Sequence, residues 1–410
     1  MTQTPFDARA LIDLKRVGAV APSPDGTWLA VAVDRLDVEE RSRYISDLWR
    51  VPLDGSGDAW RLTHGESNDR APAFRHDGAL LFLSDRPSQG KKPAADTPKR
   101  TQVWALESFG EATQVTDEPL GVTAFAAARS APVLAVFADR LPHVPEGAQR
   151  ATADMRAKAG PSARVYTRMP VRSWDHWIPD MAPHVVLYKG GTSNVVTTNA
   201  DAYRYRSAHL SISDDGSRVV ALRADPCPVD RLDEHTIEVL DVETMVWRDA
   251  FHTPRAMCTP PHIDAQGSSC VFMRRTRADG ALATHELMHV NLDTGDERTL
   301  HDGEDVFLTP HALTPDGEYV LATGDLAATT PVFLVHVGSA SVRRLTHEQA
   351  RGTHTALSVF ERAGALCVTG IRSTLTHPPE PFVAALSPAA APELPARISG
   401  FDAAELVTIE

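Results

Sequence analysis

The feature that most constrains this chain is a repeat. A segment made of a tight Asp-Gly turn, or a degenerate form of it, followed by an apolar run occurs seven times. The copies are APSPDGTWLAVAVDR (21–35), AFRHDGALLFLSDR (73–86), ARSAPVLAVFADR (128–140), SISDDGSRVVALRAD (211–225), IDAQGSSCVFMRR (263–275), ALTPDGEYVLATGD (312–325) and FERAGALCVTGIR (360–372). Each is followed by a second unit, an apolar run, a turn and a short strand ending near a threonine. The first two are 47–53 with 60–63 and 102–106 with 113–116, and the others start near His184, Thr236, His285, Pro331 and Pro381.

Asp-Gly supplies the positive φ that two-residue hairpins require, and flanking β-branched or aromatic runs of this length read as strands. Two hairpins per repeat make a four-stranded antiparallel sheet. The repeat length of roughly 50 residues matches propeller blades and exceeds ankyrin or leucine-rich units. Helical periodicity is nearly absent, which argues against a parallel βαβ arrangement. The chain is therefore expected to be an all-β, seven-bladed propeller over 19–395, with one interruption, an insert at 141–183. Its first half is polar and alanine-rich, as a short helix would be, and its second half brings Arg172, Trp174, Asp175 and Trp177 together. Long inserts in repeat folds map to loops on one face, commonly the working face.

The N-terminus carries the one clear helix signature. Thr4 fits the N-cap, Pro5 the first helical position and Asp7 the third, while Phe6, Ala10, Leu14 and Val17 form an apolar stripe. A propeller has no need of this stripe, so the helix (1–18) is expected to dock on something else. Of 410 residues, 41 are basic and 54 acidic, giving 41 − 54 = −13, without a basic stripe to neutralise phosphates. Nucleic acid and anionic membranes are excluded as partners. The absence of a long apolar run points to a cytoplasmic protein. Cys227, Cys258, Cys270 and Cys367 are spaced like neither a redox pair nor a zinc set and read as buried thiols.

LIDLKRVG (11–18), VAPSPDGTWLAVAV (20–33), DLWRVPL (47–53), WRLTHG (60–65) and YTRMPVRSWDHW (166–177), in this order, resemble the propeller half of the prolyl oligopeptidase superfamily, in its acylaminoacyl-peptidase branch. The resemblance covers nearly the whole chain. It implies a propeller that filters access of short peptides to a following α/β-hydrolase domain, whose serine sits on a GxSxG elbow ahead of an Asp and a His. GGTSNV (190–195) and GSASVR (338–343) lack the final glycine of that motif, so no catalytic residue is carried over and no cofactor is implied. The tail, 396–410, resembles the start of the linker to the hydrolase. Arg172, Trp174 and Trp177 are the substrate-gating candidates. Arg172 either receives a peptide carboxylate or fixes its loop through Asp175 or Asp180.

The implied partners are peptides and a hydrolase domain, in cis or in trans. An unpartnered docking face also predicts self-association. Two other readings stand beside this one. The chain could be a freestanding protein- or peptide-binding propeller. Alternatively, His209, His262 and His311, each just before a repeat, could converge on a transition metal as in propeller lyases acting on sugar acids. Asp214 with Asp215 reads as a hairpin turn, and Glu39 with Glu40 as a solvated loop.

Overall fold

A computed structural model describes residues 12, 14–37, 43–53, 57–65, 67–87, 99–107, 110–160, 163, 165–166, 171–173, 175–197, 209–225, 234–276, 284–346, 352–386 and 396–397. The strands form seven antiparallel sheets in chain order, each with its first strand on one side and its fourth on the other. They span 16–61, 70–114, 122–195, 210–252, 256–301, 309–344 and 353–397, and are called blades 1 to 7 below. In blade 5 the first strand is broken into Ala256–Cys258 and His262–Ile263, both paired with Ser269–Thr276. Pro260 and Pro261 lie in the gap, where missing N–H donors interrupt a ladder. This is the seven-bladed propeller of four-stranded sheets that the repeat predicts.

The chain divides into two compact units. One holds 1–86, 104–112 and 303–410, and the other 87–103 and 113–302. In the first unit the apolar faces of blades 1 and 2 meet through Ala30, Leu48, Phe82 and Trp104, and those of blades 6 and 7 through Leu321, Leu334, Val359 and Phe382. In the second unit, Val136's neighbours Ala135 and Phe137 of blade 3 pack on Val219 and Leu240 of blade 4, and Val239 and Phe251 of blade 4 pack on Phe272 and Met288 of blade 5.

The Asp-Gly turns differ from the expected two-residue hairpins. Ser23 N–H donates to the Trp28 carbonyl at 2.9 Å, so the loop has four residues, and only Gly26 (φ +65°) takes positive φ. The missing ingredient is a hydroxyl three residues before the glycine. Ser23 Oγ donates to Asp25 at 2.5 Å and accepts from Trp28 N–H at 3.1 Å, while Asp25 also takes Thr27 N–H at 3.1 Å. The same lattice recurs at Ser213, Asp215 and Ser217 and at Thr314, Asp316 and Glu318. Burial alone would raise the Asp25 and Asp215 pKa values, but these hydrogen bonds outweigh it and hold both below the usual carboxylate range. Among the turns that open the seven repeats, blade 7 has the two-residue form, with Ala363 (φ +50°) and Gly364 (φ +78°) between the paired Arg362 and Ala365.

The threonine closing several of the repeats also has a structural task. Where the fourth strand ends, its hydroxyl accepts the first free N–H of the third strand: Leu48 N–H to Thr63 at 3.0 Å, Val103 to Thr116 at 2.9 Å and Val185 to Thr197 at 2.6 Å. A backbone donor that would be buried without a partner is thereby satisfied.

No described strand crosses between blade 1 and blade 7: the four strands of each are contiguous in sequence. Side-chain packing joins them instead. Leu29, Val31, Val33, Val51 and Leu53 meet Phe360, Cys367 and Val383. The first turn rests on the last, so closely that a Cβ on Gly26 would lie 2.3 Å from the Glu361 carbonyl oxygen.

The expected N-terminal helix falls on 1–18, of which only 12 and 14–18 are described. Ile12 is helical, but Val17 belongs to the strand Arg16–Pro22 and not to a helix. At the other end Ala396–Arg397 pairs with Phe382 and Val383 as the outer strand of blade 7. The rest of the tail lies outside the described residues.

Candidate functional site

Antiparallel alternation sends the connections between second and third strands, and those from a fourth strand to the next blade, out of the same end of each sheet. That end is called the loop end, because the longest connection lies there, and the end where first and second strands join is called the turn end. The blade 3 insert leaves from the loop end, after Val133–Arg140, and returns at Ala182–Lys189.

A buried polar knot fixes its root. Arg140, 2% exposed, bonds Glu118, 4% exposed, and reaches Glu146 at 2.9 Å. Tyr188 O–H donates to the other oxygen of Glu118. Gln102 accepts from Thr116 O–H at 2.8 Å and from Glu118 N–H at 2.9 Å, and donates to the Glu118 carbonyl at 2.9 Å. Gln149 both accepts from Leu141 N–H at 2.7 Å and donates to its carbonyl at 3.1 Å, tying the helix Gln149–Ala159 to the strand end. Gly160 ends that helix in the left-handed conformation. Arg150 with Asp117 at 2.7 Å and Arg156 with Asp180 at 2.8 Å pin it from outside.

The knot sets the local electrostatics. Burial, followed by its bond to Glu118, drives the Tyr188 pKa far above the usual phenol value, so Tyr188 stays a proton donor. Asp139, beside Arg140 in sequence, is pushed up to about 6 by burial, with Arg140 opposing.

Beyond the knot the insert presents an aromatic platform. Arg172–Ser173 pairs with His176–Trp177 in a two-stranded ribbon. Trp177, 54% exposed, stacks on Tyr166 with centroids 6.1 Å apart, and the Arg172 guanidinium lies 5.7 Å over the indole. Tyr166 O–H donates to the Ile178 carbonyl at 2.9 Å. Of the gating candidates, the structure thus brings Arg172 and Trp177 together, while the side chain of Trp174 lies outside the described residues. Arg172 donates to the Asp175 backbone carbonyl at 3.3 Å rather than to a carboxylate, and Asp180 is paired with Arg156. The exposed part of the indole can meet a flat or cationic group, and the guanidinium can meet an anion.

Of the three histidines, two meet within the second unit. His209 and His262 meet edge to face with centroids 5.1 Å apart, and burial depresses the His209 pKa against a hydrogen bond with the Pro261 backbone. His311, in the other unit, shares a 2.8 Å hydrogen bond with Thr323, and burial pushes its pKa down to about 4. Among the described residues, no three His, Cys, Asp or Glu side chains are placed to share a metal ion. Asp215 serves the blade 4 turn, and the Asp214 carbonyl accepts Ser130 N–H at 2.8 Å. Glu39 and Glu40 lie outside the described residues. Cys258, Cys270 and Cys367 are free and buried.

Among solved structures, the chain superposes with a TM-score of 0.66 on an acylaminoacyl peptidase from Pyrococcus horikoshii, at 10% identity over 98% of this chain and 55% of that one. It superposes at 0.61 on the β-propeller domain of the Trilobed protease from Pyrococcus furiosus, at 10% identity over 95% of this chain and 97% of that domain, which has an open velcro topology. Both of these neighbours are peptidases with a propeller domain. An oligogalacturonate lyase from Vibrio parahaemolyticus also matches, at 0.59 and 14% identity, over 90% of this chain and 89% of that one. At such identities the likeness is one of fold. The chain spans little more than half of the Pyrococcus horikoshii peptidase. No protein-family model and no curated protein sequence matches it.

Proposed function

We propose that this propeller is the non-catalytic module of a serine peptidase of the acylaminoacyl-peptidase kind, and that it admits short peptides to a hydrolase domain at the loop end. The observation that carries the reading is where the exposed large apolar side chains lie. In the first unit, Tyr44, Phe307, Leu326 and Leu375 are 36%, 47%, 39% and 97% exposed and sit in or beside loop-end connections of blades 1, 6 or 7, while exposed Trp60 and Val342 stand beside turns at the other end. Trp177 is likewise at the loop end of blade 3. The apolar groups at the loop end suit a covering partner, and the same side chains would favour self-association when that partner is missing. The side-chain packing of blade 1 on blade 7, with no described strand shared between them, suits a propeller that yields to an entering peptide. No described helix is long and apolar enough to cross a membrane. Buried free thiols and an acidic surface suit the cytoplasm.

The test is a chimera in which the hydrolase domain of an acylaminoacyl peptidase follows Glu410, assayed against peptides of increasing length. Cleavage that falls with length, compared with the isolated hydrolase domain, is expected. A length dependence identical to that of the isolated domain would sink the reading.

A further inference from the structure

A second site lies away from the loop end, in the first unit, on the outer half of blade 1. Trp28 opens the second strand, Arg50 lies on the third, and Trp60 stands opposite Arg50 on the fourth. The Arg50 guanidinium sits over the face of Trp28, 4.3 Å from its centroid, and over the face of Trp60 at 5.2 Å. Trp28 is braced edge-on by Phe74 at 5.1 Å. Trp60 is 48% exposed, so the arrangement opens to solvent.

What it lacks is an acid. The chain holds 54 acidic residues against 41 basic ones, and the other part-buried arginines of blades 1 and 2 use them: Arg35 and Arg61 pair with Asp47, Arg75 with Asp77 and Glu107, and Arg86 with Asp69. Arg50 forms no ion pair among the described residues, and its buried Nε has no hydrogen-bond partner. Asp25 acts on it through space, with its Oδ1 engaged by Ser23 and Thr27. Two indole rings thus flank the guanidinium and shield part of it from water.

We infer that Arg50, Trp28 and Trp60 form a carboxylate-binding site, for a peptide C-terminus or an acidic side chain. A planar carboxylate takes two parallel bonds in the guanidinium plane, where the rings leave room. A tetrahedral phosphate would add oxygens out of that plane, where the rings stand. The inference does not depend on the peptidase reading, since it uses neither the loop end nor a hydrolase domain.

The indole Nε1–H signals of Trp28 and Trp60, assigned through Trp28→Phe and Trp60→Phe, report binding by NMR in the intact chain. Three probes are titrated: N-acetylglycine, with a terminal carboxylate; N-acetylglutamic acid α-amide, with only a side-chain carboxylate; and N-acetylglutamine amide, with none. Saturable shifts with one or both carboxylates and none with the neutral amide are expected, and the tighter of the two names the source. Arg50→Gln should weaken binding at least about tenfold, as loss of a charged bidentate contact implies. Arg50→Lys should weaken it less, and Arg16→Gln, another arginine over an aromatic ring in this blade, should leave it unchanged. Thermal unfolding of each variant confirms that it is folded. Equal shifts with the neutral amide, or unchanged affinity in Arg50→Gln, would overturn the inference.

Discussion

Replacing Gly26 with alanine probes the contact that joins the first blade to the last. Two costs are expected. An alanine at φ +65° suffers the left-handed penalty of about 1–2 kcal/mol. Its Cβ would also stand 2.3 Å from the Glu361 carbonyl oxygen and 3.1 Å from Arg362 Cα, where backbone must give way, and overpacking of this kind costs a further ~1–3 kcal/mol. Gly78 is the control, since it has φ +86° in the equivalent turn of blade 2 but nothing within 4 Å of an added Cβ. Gly26→Ala should therefore lose about 1–3 kcal/mol more than Gly78→Ala in urea unfolding. The seam has its own reporter in Cys367, 7% exposed among the blade 1 side chains. Its labelling by a thiol reagent, followed by peptide mass spectrometry, should accelerate in Gly26→Ala and not in Gly78→Ala. Equal destabilisation of the two variants, with equal labelling, would refute the argument that packing at this turn holds the blades together.

Asp139 gives a pH-dependent prediction. Its folded pKa, about 6, lies above the unfolded carboxylate value of about 3.9, so the folded state binds the extra proton and stability falls as pH rises between the two, then levels off. Asp139→Asn should gain on the natural chain by on the order of 2 kcal/mol between pH 4 and pH 7, read from paired urea titrations; a constant difference would contradict the burial argument. Within the knot, Tyr188→Phe removes one bond to a charged acceptor and should cost ~1–3 kcal/mol, while Glu118→Gln breaks a buried ion pair and should cost about 3–5. A double-mutant cycle should show clear coupling between them. In the chimera, Trp177→Ala should raise KM for peptides with little change in kcat or thermal stability, and a fall in stability alone would make the platform a packing clamp.

The repeat was legible because its markers are local: a turn glycine and a following apolar run lie within a few residues. The hydroxyl at Ser23, Ser213 and Thr314 lies in the same window, and reading it would have given the four-residue loop. The knot at the root of the insert was less visible, because Gln102, Thr116, Glu118, Arg140 and Tyr188 are scattered along the chain and meet only when blade 3 folds against the connection before it. One signal was present. Arg35, Arg86 and Arg140 each follow an aspartate at the end of a repeat, and each finds a buried acid, Asp47, Asp69 and Glu118 respectively. The histidines were a poorer guide, because their similar positions before the repeats say nothing of side-chain direction. His311 adjoins the irregular pairing between Pro310 and Ala312, where an extra residue turns a side chain from the regular alternation.

The central claim, a propeller that works on peptides only through another domain's nucleophile, is tested most directly by exposing the purified chain to a fluorophosphonate serine probe and to acylated peptide substrates. No labelled serine and no hydrolysis are expected. Stoichiometric labelling of a single serine, abolished by its replacement with alanine, would contradict the account.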